Sequence, residues 1–264
     1  MKLFPISELK NRIDLLPGYT LVDIYVKGHK VENFKAVVPQ GMTSPIAIVS
    51  KKYKLVQHKT LFLIVIEKVC WKFNSSNVFG DICFNKNRAF LSLYFQKTKL
   101  LNEDYLAGIM VSNSVDTSLS VKVSLSLFND KTDVVFLNPE KLIEIKNKHL
   151  GIELFWSRFK SRLLTILNSF EEILNSYISF LTSLSEIEID PKEVLSKISL
   201  SERIQTRILS TLKSTKALDV YKTIVSCLIS EPYLSPTTKI KKIEKLGKII
   251  YSLKGGGLND NNSN

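Results

Sequence analysis

The spacing of apolar residues changes once along this chain, and that change constrains the fold more than any other feature. In Leu119-Ser-Val-Lys-Val-Ser-Leu-Ser-Leu127 every odd position is apolar, the period of a strand with one buried and one wet face. Near Pro139 the spacing lengthens. Phe155, Phe159, Leu163, Ile166, Phe170, Ile173, Tyr177, Leu181 and Leu184 recur at three- and four-residue steps, which places one apolar stripe on a helix of several turns. The expected fold class is therefore α+β. An N-terminal, mostly antiparallel sheet with at least one packed helix covers 1–138. A helical region over 139–254 packs on it or forms a second domain, and the polar 255–264 tail is expected to be disordered.

Within the first half, Tyr19–Val26, Phe34–Val38, Ile46–Ser50, Phe79–Phe84, Ala89–Gln96, Tyr105–Asn113 and Ser118–Phe128 read as strands. Leu61–Phe73 suits a buried strand by density and a helix by length and spacing, and helix is the favoured reading. Asp190-Pro191-Lys-Glu193 starts a helix, since Asp accepts from free amides and proline fits the first turn. Further helices begin at Ser201, near Lys216 and at Pro236.

A hydrophobic content of 44% is ordinary, whereas a net charge of +12 is not. Such an excess attracts nucleic acid, anionic membrane or an acidic protein face. The surplus is overwhelmingly lysine, arginine being confined to Arg12, Arg88, Arg158, Arg162, Arg203 and Arg207. Lysine favours contact with a phosphate backbone over reading of bases. A Lys- and Ile-rich genome would also write lysine at any exposed position.

Cys70, Cys83 and Cys227 form no CxxC pair, and His29, His58 and His149 are scattered, so no metal or other cofactor is expected. Reduced, buried thiols and the lack of any apolar run near ~18 residues read as a soluble, cytoplasmic protein without a membrane partner. No GxxxxGK loop or GxSxG elbow occurs, and the acidic residues are isolated or paired only in sequence, as at Glu103-Asp104. No catalytic residue is assigned. His58 could serve as a base, but a lone histidine is more often structural.

Two basic clusters are candidate nucleic-acid-binding sites. Lys51, Lys52, Tyr53 and Lys54, with Lys59 nearby, combine ammonium groups for phosphates with a ring that can stack on a base, unless Tyr53 packs in the core. The last helix aligns Lys241, Lys245 and Lys248 opposite Ile240, Ile243, Ile250 and Leu253; its bland alternative is a docked helix with lysines in water. Arg158, Lys160 and Arg162 form a third basic group, off the 155–184 stripe. That stripe serves either intramolecular packing or a homo-oligomer.

Ile48-Val-Ser-Lys-Lys-Tyr-Lys-Leu-Val-Gln57 before a helix resembles the phage/plasmid-like domain-of-unknown-function family, whose members show a strand ending in Val-Ser, a basic residue and tyrosine, then a corner. Asp104–Ser118 is similar to the family's strand and turn: Asn113, Ser114, Asp116 and Ser118 fit, while Val115 stands for the usual His and Thr117 for the Gly. The family's Arg-Val-Val-Cys-x-Asn-Thr-Leu stretch is missing. The resemblance spans roughly 17–180 and implies a viral or plasmid-borne gene, without a defined reaction. Charge and resemblance together lead us to expect a non-catalytic nucleic-acid-binding accessory protein acting on single-stranded DNA in replication or recombination. The alternative is an anti-CRISPR-type protein that inhibits a host defence ribonucleoprotein.

Overall fold

A computed structural model describes residues 2–85, 87–116, 118–145 and 151–253. The expected disorder over 255–264 lies outside the described residues. The fold is α+β. Six strands form an antiparallel sheet in the order β1 (Phe4–Pro5), β5 (Phe79–Asn85), β6 (Arg88–Leu100), β7 (Glu103–Ser114), β8 (Val121–Phe128) and β9 (Val135–Ile145). A separate three-stranded sheet is made by β2 (Tyr19–Val26), β3 (His29–Pro39) and β4 (Ala47–Ser50). The β2–β3 hairpin turns at Lys27-Gly28, both at positive φ (49° and 83°), the conformation a two-residue hairpin turn demands.

The register gives the large sheet two unlike faces. Leu91, Leu93, Ile109, Val111, Val123 and Leu125 line one face in cross-strand rows. On it pack α1 (Ile6–Asp14), which the sequence reading lacks, and α2 (His58–Lys72), which confirms the helical choice over 61–73. The other face carries Ser92, Met110, Ser124 and Ser126. The sequence reading left the even positions of 119–127 wet, and this is corrected: Ser124 is 7% exposed and Ser126 is fully buried. The cover is α8 (Pro236–Leu253), which crosses this face from Asn85, bonded to Thr237, to Leu137. Small hydroxyls suit such a covered face because they bond locally, as the Ser126 and Tyr94 hydroxyls do at 3.0 Å.

Two further expectations are revised. The strand period does not end at 138, because β9 runs through Pro139 to Ile145. Proline is tolerated there since β9 is an edge strand and its pairing with β8 slips between Ser124 and Ser126. The 155–184 stripe is divided at Ser169 into α3 (Ile152–Asn168) and α4 (Phe170–Ser183). Just past the break, Phe170 packs against Phe95 and Phe73, with ring centroids at 4.6 and 6.1 Å. Phe155, Phe159, Leu163, Leu174 and Leu181 are all buried in the chain's own core. These residues of the stripe therefore serve internal packing.

The remaining helices are α5 (Pro191–Ile198), α6 (Glu202–Thr211) and α7 (Ala217–Ser230). Asp190 caps α5 as its position suggests, accepting from the Lys192 amide at 2.9 Å. One hydrophobic cluster runs from Ile6 to Ile250, so the helical region packs on the large sheet.

Candidate anion-binding hollow

Beside α8, the serine-bearing face opens into a hollow of about 250 Å³. Lys122 and Ser124 of β8 form its floor, Lys141 of β9 one wall, and Lys241, Glu244, Lys245 and Lys248 of α8 the other. Steps of three and four put the α8 residues on one helix flank, while the pairing of Ser124 with Lys141 brings the strands' lysines alongside. Among the described residues, Lys141 is the only one of these five lysines in an ion pair, 2.7 Å from Glu144.

The charges in this hollow press on one another. Burial, then the neighbouring Lys141 charge, moves the Lys122 ammonium below the usual lysine range. Lys241 is lowered by burial and by Arg88. Glu244 is raised by burial, against the opposing pull of Lys122, Lys248, Lys141 and Lys241. Five ammonium groups, of which Lys122 and Lys241 are half-buried and Lys141, Lys245 and Lys248 exposed, share the hollow with Glu244. An incoming anion relieves that excess, and a phosphate can supply several acceptors at once.

Among the sequence-derived candidates, only Lys241, Lys245 and Lys248 line this hollow. Lys51 lies 3.5 Å from Glu32, and Lys59 is paired with Asp14 at 2.7 Å, at the start of α2. Lys52 and Lys54 are exposed in the segment after β4, and Arg158, Lys160 and Arg162 are exposed on α3. Tyr53 is 4% exposed and sits in a small cluster with Tyr19, Val37, Val49 and Val115; its hydroxyl donates to the Val115 carbonyl at 3.4 Å. Its ring is not available to stack on a base. The exposed aromatics of that sheet are Tyr25 and Phe34, 62% and 48% accessible.

Sequence reasoning missed Lys122 and Lys141. Lys122 stands at a polar position of an alternating strand and reads as solvated until a helix covers that face. Lys141 lies where helix was expected.

The two stretches behind the family resemblance meet in space. The Asn113 amide donates to the Val56 carbonyl at 2.9 Å and lies 3.0 Å from Nδ1 of His58. The bond to Val56 fixes the amide's orientation, so Nδ1 accepts and the ring carries its proton on Nε2. Burial pushes His58 down to about 4, with the Asn87 backbone and the Asp116 carboxylate opposing. Fully buried and neutral, it ties a strand to a helix and is not placed as a base. Asp116 holds the adjoining turn, accepting from the Ser118 amide at 2.9 Å and from Asn87. Among the described residues, no group of three or more His, Cys, Asp or Glu comes together to hold a metal ion. Nor is any described helix long and apolar enough to cross a membrane.

Comparison of the chain with protein-family models, with curated proteins and with solved structures finds no match.

Proposed function

We propose that this protein binds the phosphate chain of nucleic acid without catalysing a reaction on it, with the Lys122, Lys141, Lys241, Lys245 and Lys248 hollow as the seat for backbone phosphates. The convergence of these lysines from two strands and a helix carries the reading. The mobile-element setting rests on the family resemblance. The sequence signal for a single strand is Tyr53 among Lys51, Lys52 and Lys54, and with that ring buried the reading keeps backbone contact alone.

Fluorescence anisotropy with a labelled single-stranded oligonucleotide tests it. Affinity is expected to fall steeply with salt. The triple variant K241Q/K245Q/K248Q should flatten the log–log salt slope by about 2, at roughly 0.7 counterion per phosphate contact. K51Q/K52Q/K54Q should change it less. No binding at low salt, or equal losses from both triples, removes the hollow as the seat.

A second reading, an interaction protein of anti-CRISPR type, draws on a different feature. Val22, Phe34 and Ile48 on the outer face of the three-stranded sheet are exposed, and exposed apolar patches mark protein interfaces. Affinity purification from host cells would then recover a stoichiometric ribonucleoprotein with the wild type and not with F34S/I48S.

A further inference from the structure

The opposite flank of α8 closes a second cavity, of about 260 Å³, over the same face of the sheet. Its walls are mainly apolar: Met110, Val135 and Leu137 from the strands, Ile240 and Ile243 from the helix. Two charged side chains also line it. Asp81 comes from β5, where its carboxylate accepts from the Ile82 amide at 2.9 Å. Lys239 comes from the first turns of α8, where its ammonium donates to the Ile229 carbonyl at 2.5 Å. Among the described residues neither is in an ion pair with any other, although opposite charges lining an apolar space would gain by meeting.

We infer that this cavity binds a small zwitterion with an apolar side chain, an α-amino acid of the leucine class: its ammonium on Asp81, its carboxylate on Lys239 and its side chain against Met110, Leu137 and Ile240. The size agrees. At about 30 Å³ per water in the liquid, the space equals roughly nine waters, and so a ligand of about nine heavy atoms. The electrostatics agree as well. Asp81 is raised by burial, which outweighs the opposing Ile82 amide and the charges of the N-terminus and Arg12, so a cation delivered directly beside it restores what desolvation removed. Lys239 spends one donor on Ile229 and keeps others for a carboxylate. Of the other polar groups, the Tyr94 hydroxyl is bonded to Ser126, and Ser92 and Cys83 are small and neutral. This site is independent of the phosphate seat proposed above and stands or falls without it.

The test is on the ligand side and uses the full chain. Isothermal titration and ligand-observed NMR are run with L-leucine, with leucinamide, which lacks the carboxylate, and with 4-methylpentanoate, which lacks the ammonium. Leucine is expected to bind in the millimolar range or tighter, and each analogue about tenfold more weakly or worse, because each leaves one charged wall group unmet. D81N should lose the preference for leucine over 4-methylpentanoate, and K239M the preference over leucinamide. The inference is overturned if leucine shows no binding at about 10 mM. It is equally overturned if either analogue binds wild type as tightly as leucine does.

Discussion

His58 shows how one buried side chain makes stability depend on pH. Its folded value of about 4 lies below the 6.5 of an unconstrained imidazole, so between those values the unfolded chain binds a proton that the native ring refuses. Stability should therefore fall as pH drops below about 6.5 and level off below about 4, a loss of roughly 3 kcal/mol from this residue. The neutral variant H58F removes that component. Urea unfolding of both proteins at pH 7 and pH 4.5 is expected to show the wild type losing about 2 kcal/mol more than the variant across the interval. Parallel losses would mean that the ring is protonated in the native state. At this scale the sequence is least legible. Tyr53 and His58 stand in a run of lysines, and nothing local tells a stacking ring from one sealed by Val115, some sixty residues away in the chain.

At the scale of the element, α8 matters most because it closes both cavities. Its approach to the sheet depends on Gly247, where an added Cβ would lie 3.0 Å from the Leu137 carbonyl oxygen. G247A has two opposed effects: the helix gains about 1 kcal/mol in propensity, while the contact must yield by a few tenths of an ångström. We expect it to be nearly neutral in urea unfolding. G247V cannot be accommodated so, and should cost about 1–3 kcal/mol and shift α8 outward. If the hollow is the phosphate seat, oligonucleotide affinity should fall with that shift, as Lys241 and Lys248 draw away from Lys122. Unchanged stability in G247V would show that the helix is not held at this distance. Period alone located most elements here, including α8 with its lysine flank and apolar flank. It missed β9 because Pro139 reads as a strand terminator unless the strand is known to lie at an edge. It also mistook a covered serine face for a wet one, since hydroxyl side chains satisfy either environment.

The whole molecule is unevenly held, and the unevenness follows from how its apolar residues group. One cluster joins α1, the six-stranded sheet and the C-terminal helices, from Ile6 to Ile250. The three-stranded sheet has a smaller cluster of its own, with Tyr19, Val37, Val49, Tyr53 and Val115 buried and Leu21, Ile46, Ala47 and Leu55 packed against them, while its outer face leaves Val22, Phe34 and Ile48 in solvent. A sheet of three strands with so small a buried face contributes little stability by itself. It is tethered through Gln57, which exchanges hydrogen bonds with both backbone groups of Tyr19 at 3.1 and 2.6 Å, and through the Tyr53 hydroxyl. Opening of this sheet should therefore require less free energy than global unfolding. Native-state hydrogen exchange is expected to show amides of β2, β3 and β4 exchanging well before those of β6, β7 and β8, with the tip between Asp23 and Asn33 fastest. Q57A, which removes these two bonds to Tyr19 and leaves its edge-on contact with the His58 ring, should accelerate exchange in β2 and leave β7 unchanged. Uniform protection across both sheets would show that the smaller one is locked to the large core by more than these few bonds. In that case its exposed apolar face would be the surface of a rigid platform, and the interaction-protein reading would gain the preorganised docking site it requires.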